Sequence, residues 1–470
     1  MSERLFAVVD QGSTSTKGGV FRQDGERVQL ATVPVERSVD GPHVEHDPEA
    51  LARGVVEIVE TLADEYPLTA VGLACQRSTC LVWERDGARP LTPALSWQDR
   101  SQAARVEALD PHADLIRRRT GLRLTPYYAA PKLAALLDQV PLGAGRAAAG
   151  ELVAGTLDAF LVHRLTGTPA TEAGIAGRTL LYSLESDAWD EELCELFRVP
   201  IEVLPELRTS AGEWGEAAGV PLVGVAGDQQ ASLIGHGGWK LGVTAAHFGT
   251  GAFVLASTGE EVVRHEGLLA AVLASTPSAR RFQIEGSVNS AGSAVDWARE
   301  LTGENLDAWA DRTLAPKGPL VLPSFTGTAA PWWESSGGAV VADLELSTSA
   351  EELFAAVLRG VAHRILDNVE ALDAAGIQTT VLRVSGKLTR LSGMVQFLAD
   401  AGEIPVEVAA EEETGSLGMV RLLAAHLEGD EAPLLEPPEA RERYEPRWSP
   451  QKAGRVRRRW SEFARAAMRL

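Results

Sequence analysis

The sequence predicts an α/β protein built from two similar domains. Apolar runs with strand composition alternate with segments whose apolar residues recur at helical spacing, which is typical of this fold class. A strand, a turn rich in glycine and hydroxyl residues, and a second strand open the chain at residues 6–21, and a similar arrangement recurs at 244–255. A chain of 470 residues is also too long for one core. We expect domains over residues 1–238 and 239–470, with the boundary in Gly235-His236-Gly237-Gly238.

The opening hairpin places a carboxylate, Asp10, at the end of its first apolar strand. A bare carboxylate is costly there unless it has a partner. The turn that follows offers backbone N–H groups, several hydroxyls and Lys17, which suit it to hold an anion such as phosphate, and Asp10 could hold a metal beside that anion. The alternative is an ordinary β-hairpin whose polar residues only form the turn.

Local signals predict the next elements of the first half. A third strand is expected over residues 27–35, followed by a helix with Asp47 as N-cap and Pro48 as its first residue. Capping explains the run from His43 to Asp47 better than a metal cluster does. The buried face of this helix should consist of Leu51, Val55, Ile58 or Val59, and Leu62. Strands follow at 70–74 and 80–83, and the Gly/Ala-rich stretch 143–150 is expected to be a surface loop.

In the second half, Ser349 and Glu352 predict a capping box at the start of a long helix. Its apolar stripe consists of Phe354, Leu358, Val361, Ile365 and Leu372. After Glu428 the chain becomes acidic and proline-rich, and a last helix is expected from Ser461. The basic run 455–459 is expected to be the solvated face of a terminal helix rather than a binding patch.

Composition excludes several classes of protein. The formal net charge of −21 argues against nucleic-acid binding, and no helix-turn-helix is evident. The three cysteines, Cys75, Cys80 and Cys194, lack metal-type or redox spacing, which fits a reducing compartment. No charged-then-apolar leader and no apolar run of about 18 residues is present, so we expect a cytoplasmic protein without a membrane partner.

Common phosphate-binding and metal-binding motifs are missing, since the sequence contains no Walker loop, Rossmann glycine fingerprint or zincin motif. The polar segments that remain are dispersed along the chain. In order, they are Asp10-Gln11-Gly12-Ser13-Thr14-Ser15-Thr16-Lys17, Gln76-Arg77, Trp97-Gln98-Asp99-Arg100, Thr120-Gly121 through Pro126-Tyr127 to Lys132, Gly155-Thr156-Leu157-Asp158, Arg178-Thr179-Leu180-Leu181, Gly227-Asp228-Gln229-Gln230, Phe248-Gly249-Thr250-Gly251, Glu285-Gly286-Ser287, Ala291-Gly292, and Phe325-Thr326-Gly327 with Ala330-Pro331-Trp332-Trp333. This ordered set, from residue 5 to about 425, resembles the FGGY carbohydrate kinases and most closely their glycerol kinase branch.

The resemblance implies two actin-like domains, of the ribonuclease H-like type shared by sugar kinases, heat-shock chaperones and actin ATPases, with a cleft between them. ATP and a small sugar or polyol would meet in that cleft. Asp228 would be the general base towards the hydroxyl that attacks the γ-phosphate, in line with what phosphoryl transfer requires. Asp10 and Asp228 would hold Mg²⁺, Asp10 through water.

The resemblance also assigns binding residues. The substrate pocket would contain Arg77, Ser78, Trp97, Tyr127, Asp228 and Gln229. The nucleotide and its phosphates would contact Asp10, Ser13, Thr14, Lys17, Gly249, Thr250, Gly292, Asp296, Gly386 and Lys387. The implied partner is the small-molecule substrate, with a second copy of the chain as a candidate partner in a homodimer.

The sequence departs from the glycerol kinase pattern in both pockets. Ser78 stands where glycerol kinases carry a Glu that bonds a glycerol hydroxyl, so we expect a longer polyol or a ketose to be accepted at least as readily as glycerol. Lys387 replaces a glycine of the Asp-Gly-Gly segment, where it could stack beside the adenine, contact phosphate or obstruct ATP. Leu391 stands where glycerol kinases have an Asn near the adenine, and Asp296 stands where they usually have a Gln close to the nucleotide.

Two other functions stay open from the sequence. One is a catalytically weak sensor that keeps the cleft and uses sugar binding for regulation; the changed nucleotide segment favours it, and the retained Asp10, Asp228 and Thr250 argue against it. The other is a small-acid or acyl-phosphate kinase on a related fold, which the polyol-type aromatics Trp97 and Tyr127 disfavour.

Overall fold

The computed structural model describes residues 4–334, 338–436 and 438–469. In the first half, the strands are β1 (Leu5–Gln11), β2 (Ser15–Arg22), β3 (Arg27–Pro34), β4 (Ser38–Asp40), β5 (His43–His46), β6 (Leu68–Cys75), β7 (Cys80–Glu84), β8 (Ala94–Leu95), β9 (Leu152–Thr156), β10 (Ala170–Glu172), β11 (Tyr182–Ser183), β12 (Ala188–Trp189), β13 (Glu206–Arg208), β14 (Ala211–Ala217) and β15 (Val220–Gly227). The helices of this half are α1 (Pro48–Glu65), α2 (Ala103–Glu107), α3 (Ala113–Thr120), α4 (Ala129–Gln139), α5 (Gly143–Ala148), α6 (Leu157–Thr166), α7 (Ala173–Ala176), α8 (Glu191–Phe197) and α9 (Asp228–Gly235).

The described strands of the second half are β16 (Val243–Phe248), β17 (Ala252–Gly259), β18 (Leu269–Ser275), β19 (Arg280–Val288), β20 (Leu320–Leu322), β21 (Val340–Ala342), β22 (Val381–Gly386), β23 (Val406–Ala409) and β24 (Ala440–Tyr444). The helices of this half are α10 (Gly292–Thr302), α11 (Ala350–Ala374), α12 (Ser392–Gly402), α13 (Thr414–Glu428), α14 (Ala432–Leu435) and α15 (Pro450–Ala467). Short 3₁₀ helices lie at Asp110–His112, Ile201–Val203, Leu306–Trp309 and Lys387–Arg390.

Each half of the chain contains one large mixed sheet. The first sheet has the strand order β14-β15-β6-β1-β2-β3, and the second has the order β18-β19-β17-β16-β22-β23-β24. In both sheets an antiparallel hairpin lies beside a parallel crossover strand, since β1 pairs with β2 and β6, and β16 pairs with β17 and β22. The predicted α/β fold with two similarly built hairpins is therefore confirmed.

Helix α13 follows the second sheet in the chain but packs on the first sheet. Its Met419 and Leu423 lie against the backbone of β6 and β15, where a Cβ on Gly224 would come within 2.8 Å of Leu423 Cδ2. The helix also lies directly against α9, since a Cβ on Gly418 would be 1.8 Å from the carbonyl oxygen of Ala231. A helix from beyond residue 238 thus completes the apolar core of the first sheet.

The capping predictions are confirmed. The Asp47 side chain accepts a hydrogen bond from the Glu49 N–H at the start of α1, and Val59 rather than Ile58 is the fully buried member of the stripe. Ser349 and Glu352 form a complete capping box on α11, whose predicted apolar stripe is buried. No group of three or more His, Cys, Asp or Glu side chains among the described residues could hold a metal ion, which agrees with the capping interpretation of residues 43–47.

Two expectations about local structure are wrong. The stretch 143–150 is largely helical, as α5, because its alanines are good helix formers and Ala147 is buried. The last helix begins at Pro450 with Ser449 as its N-cap, well before Ser461.

The basic run 455–459 is also only partly a solvated surface. Arg457 is 9% exposed, and its guanidinium lies 2.8 Å from Asp367 and 2.7 Å from Glu370 of α11. One face of α15 therefore buries a paired arginine together with Ala453, Trp460 and Ala464. Among the described residues, no helix is long and apolar enough to cross a bilayer.

Candidate active site

The ends of three parallel strands bring the predicted catalytic residues together. Strands β1, β6 and β15 run in parallel, with Gln11, Cys75 and Gly227 in register. Asp10 therefore lies at the same sheet edge as Asp228, which follows Gly227 directly. The carboxyl edge of an open α/β sheet is the usual place for a ligand site in this fold class.

Asp10 and Asp228 are half-buried, and the charge of Asp228 disfavours the ionisation of Asp10. Burial, and then the charge of Asp228, raise the pKa of Asp10 to about 7, while Lys17 lowers it. Burial also raises the pKa of Asp228, and the nearby Arg77 guanidinium opposes that rise. Two carboxyls that resist ionisation in this way would be stabilised by a divalent cation, so this pair fits a Mg²⁺ ion that takes its other ligands from water and phosphate.

The Asp228 carboxylate is oriented by its neighbours at the start of α9. Its Oδ1 accepts a hydrogen bond of 2.8 Å from the Gln229 N–H and lies 3.8 Å from Arg77 Nε. The Gln229 side chain adjoins it, and Gln229 Oε1 is buried without a hydrogen-bond partner among the described residues. A carboxylate and a free acceptor therefore lie next to each other.

Arg77 belongs to a buried ionic cluster that joins the two halves of the chain. Its Nη1 donates to Glu285 Oε2 over 2.8 Å, and Arg178 Nη2 donates to Glu285 Oε1 over the same distance. Glu285 is 1% exposed and lies on β19 of the second sheet, whereas Arg77 follows β6 of the first. The two arginines hold the pKa of the Glu285 carboxyl below its usual range. With Asp228 counted, two positive charges balance two negative ones, and this balance suits an uncharged substrate.

The structure also locates the three remaining predicted pocket residues. Ser78 is buried in a left-handed conformation with φ of 65°, and its Oγ donates to the carbonyl of Arg178 over 3.0 Å. Trp97 is half-buried, and its N–H donates to Thr79 Oγ1. The Tyr127 side chain is 41% exposed. Local sequence alone did not identify Arg178, although it lies in one of the segments that carry the resemblance.

The second predicted phosphate turn lies against the start of α10. The Gly292 N–H donates to the Gly249 carbonyl over 3.1 Å, and the Ser293 N–H donates to the Thr250 carbonyl over 3.0 Å. A Cβ on Gly292 would be 2.4 Å from the Gly249 oxygen, so only glycine permits this contact. Asp296, one turn further along α10, is exposed and lies 3.4 Å from Arg299.

Gly386 lies opposite Phe248 in the β16–β22 pair, immediately before the turn at Gly249. It has φ of 96°, and a Cβ there would be 2.2 Å from the Phe248 carbonyl oxygen. Lys387 follows as an exposed residue and makes no hydrogen bond or ion pair with any residue that the structure describes. Leu391 is 3% exposed and belongs to the apolar core of the second half.

The first turn presents its hydroxyls at the open end of the β1–β2 hairpin. The Gly12 N–H donates to the Ser15 carbonyl, Ser13 is partly exposed and Thr14 is exposed. Lys17 is not free, because its Nζ lies 2.8 and 2.7 Å from the two carboxylate oxygens of Glu413. Glu413 has no local signal in the sequence, because its partner Lys17 lies 396 positions away.

Two sheets with similarly built hairpins, and a half-buried pair of carboxylates at the edge of the first sheet, define a two-domain protein of the actin-like class. Residues 5–235 match the N-terminal domain of the FGGY family of carbohydrate kinases, and residues 244–427 match the C-terminal domain of that family. The chain belongs to the FGGY family of carbohydrate kinases and is a carbohydrate or polyol kinase.

Individual relatives agree with this assignment. The chain is 36% identical to a glycerol kinase of Alcanivorax borkumensis, covering 90% of this chain and 88% of that protein. It is also 36% identical to a glycerol kinase of Methylobacterium nodulans, covering 97% of this chain and 96% of that protein. Among solved structures, Plasmodium falciparum glycerol kinase with ADP has a TM-score of 0.92 at 24% identity, covering 99% of this chain and 98% of that one. Xylulose kinase from Rhodospirillum rubrum has a TM-score of 0.86 at 20% identity, covering 98% and 99%. These two structures support the fold.

Proposed function

We propose that the protein transfers the γ-phosphoryl group of ATP to a hydroxyl of a small, uncharged polyol or ketose sugar. The observation that carries the proposal is the position of the Asp228 carboxylate, which is half-buried beside Arg77 at the sheet edge that also holds Asp10. Glycerol is the expected minimal substrate, because the curated relatives are named glycerol kinases.

In this proposal Asp228 acts as the general base. Its carboxylate accepts the proton of the substrate hydroxyl as that oxygen bonds to the γ-phosphorus, and the bond from phosphorus to the β–γ bridging oxygen breaks to release ADP. Burial raises the pKa of Asp228, which brings it closer to the range in which a base works well. The contact with Arg77 keeps the carboxylate oriented. Bound Mg²⁺, held by Asp10 and Asp228, would supply charge neutralisation at the phosphates.

The substrate side of the proposal rests on the charge balance around Arg77. Because Arg77 and Arg178 are matched by Glu285 and Asp228, a substrate carboxylate would find no unbalanced positive charge. Gln229 Oε1 offers an acceptor to a substrate hydroxyl. A serine at position 78 leaves room that a longer side chain would fill. Polyols longer than glycerol, and ketoses, should therefore be accepted at least as readily as glycerol.

The nucleotide side rests on the two hairpin turns. Ser13, Thr14 and Lys17 of the first turn and Gly249 and Thr250 of the second would contact the phosphates, with Gly292 and Asp296 of α10 nearby. Lys387 has no described counter-charge, so its ammonium is available to a phosphate oxygen of the nucleotide. The regulatory-sensor alternative receives no support from the relatives.

The test is ADP release from MgATP with glycerol, erythritol, pentitols, xylulose, ribulose and gluconate. We expect turnover with one or two of the uncharged compounds and none with gluconate. Asp228→Asn should abolish turnover while calorimetry still detects substrate binding. The proposal fails if no compound supports ADP release, or if Asp228→Asn retains full turnover.

A further inference from the structure

Lys132 is a fully buried lysine whose ammonium bonds only main-chain carbonyls. It lies near the start of α4 with 0% exposure. Its Nζ donates to the carbonyls of Ser78 and Ser96 over 2.8 Å each and to that of Tyr127 over 3.0 Å. An ammonium group has three donors, so these three bonds use all of them.

The three acceptors belong to three different segments of the chain. Ser78 follows β6, Ser96 follows β8, and Tyr127 precedes α4. Each segment also carries at least one residue assigned above to the substrate pocket, namely Ser78 itself with its neighbour Arg77, Trp97 next to Ser96, and Tyr127 itself. The ammonium therefore bonds all three pocket segments at once. The Ser78 and Trp97 segments are also joined directly, through the Trp97 N–H and Thr79 Oγ1, and Lys132 ties the Tyr127 segment to both of them.

The chain maintains this charge at a cost. Burial lowers the pKa of the Lys132 ammonium to about 8, and none of its hydrogen-bond partners is a carboxylate. Asp99, which raises that pKa, is instead bonded to the Val44 N–H and to Ser101. The helix does not need this lysine for its own packing, because Leu133 and Leu136 already bury its apolar face. Buried charges with incomplete pairing are costly, and their usual compensation is a set of well-aligned dipoles.

We propose that Lys132 is a positioning residue of the sugar pocket, which fixes the Ser78, Trp97 and Tyr127 segments relative to one another and so sets the affinity and selectivity for the sugar. This inference rests on the proposed function, since it concerns the same pocket. Lys132 does not touch the substrate itself, because its three donors are used by the carbonyls. The nucleotide turns lie on other elements, so a substitution of Lys132 should change the KM for the sugar and leave the KM for ATP unchanged.

The test compares Lys132→Met, Lys132→Gln and Leu136→Ala with the unaltered chain. Methionine keeps the apolar stem and removes every donor, whereas glutamine keeps two donors one bond closer to the backbone. Leu136 is a buried residue of the same helix that bonds none of the three carbonyls, so Leu136→Ala reports the effect of destabilising α4 alone. For each variant the KM for the sugar, the KM for ATP, kcat and the thermal midpoint are measured.

We expect Lys132→Met to raise the KM for the sugar about 10- to 100-fold, because a misplacement of about 1 Å can cost that much. Its KM for ATP should stay within about twofold of the unaltered value, and Lys132→Gln should show an intermediate effect. Leu136→Ala should lower the thermal midpoint and leave both KM values within about twofold.

The proposal is overturned if folded Lys132→Met or Lys132→Gln retains the unaltered KM for the sugar, or if Leu136→Ala raises that KM as much as the lysine variants do. Where Lys132→Met does not give folded protein, Lys132→Gln decides by the same criterion. An unaltered chain without turnover on any sugar would refute the proposed function instead, so the two failures are distinguishable.

Discussion

Lys17 of the first hairpin and Glu413 at the start of α13 form a bidentate ion pair, with Nζ 2.8 and 2.7 Å from the two carboxylate oxygens. Both side chains are partly exposed, at 32% and 17%. The charge of Glu413 also raises the pKa of Asp10. Since Lys17 is proposed to contact phosphate, Glu413 competes with the nucleotide for the same ammonium.

Removing that competitor should strengthen nucleotide binding. We expect Glu413→Gln to lower the Kd for ATP about three- to fivefold, which corresponds to a partly exposed ion pair of about 1 kcal/mol. Isothermal titration calorimetry at fixed ionic strength measures the change. Glu49→Gln is the control, because Glu49 forms an ion pair of 2.8 Å with Arg164 on α6, away from the hairpin turns. Weaker ATP binding by Glu413→Gln would show that Glu413 positions Lys17 instead.

The Glu285 carboxylate should matter more for stability than any surface ion pair. Glu285→Gln leaves the buried guanidinium groups of Arg77 and Arg178 without their shared counter-charge. Such a loss costs about 3–5 kcal/mol of unfolding free energy. Urea unfolding monitored by circular dichroism measures it.

The matched control for Glu285 is Glu260→Gln, which removes the same charge from an exposed carboxylate that lies 3.2 Å from the partly exposed Arg281. Its unfolding free energy should change by less than about 1 kcal/mol. Equal effects of the two substitutions would contradict the view that the buried cluster ties the two sheets together.

Glu172 should make stability depend on pH. Burial raises its pKa from 4.5 to about 7, while bonds from Ser210 Oγ and the Ile175 N–H lower it. Because the folded-state pKa exceeds the unfolded one, the stabilising contribution is complete below pH 4.5 and is lost as pH rises towards 7. Between pH 4.5 and pH 7, Glu172 alone should lower the free energy of unfolding by about 3 kcal/mol.

Glu172→Gln is the variant that isolates this effect. Its amide oxygen can accept from the Ile175 N–H, its amide nitrogen can donate to Ser210 Oγ in place of the bond that Ser210 donates to Glu172, and it does not ionise. The difference in unfolding free energy between the two proteins, measured by denaturant titration at pH 5 and pH 7, should therefore change by about 2 kcal/mol, the part of the total that falls between these two pH values. If the unfolding free energies of the two proteins change in parallel with pH, Glu172 is not the source of the pH dependence.

Local signals in the sequence predicted the elements that local interactions form. The cap at Asp47, the box at Ser349 and the two hairpins depend on neighbouring residues, and the structure confirms them. The predictions for α5 and for the start of α15 are wrong. The glycines of α5 and the arginines of α15 interrupt the apolar spacing by which a helix is recognised.

The contacts that organise the site have no local signal. Arg178 and Glu285 meet across two sheets, Lys17 meets Glu413 across most of the chain, and the carbonyls around Lys132 are held by a side chain up to 54 positions away. Such contacts depend on the tertiary fold. The ordered set of motifs predicts residues for the site, and only the structure shows which of those side chains are paired with one another.

The return of α13 to the first sheet has a consequence for biosynthesis. On a translating ribosome, the strands β1, β6 and β15 emerge long before Met419 and Leu423, which cover their shared apolar face. At about 5–20 residues per second, the stretch from 239 to 428 takes roughly 10–40 s to synthesise. During that interval the nascent first sheet exposes the groove that α13 will fill, so the chain is most vulnerable to chaperone capture and proteolysis before its last quarter has been made.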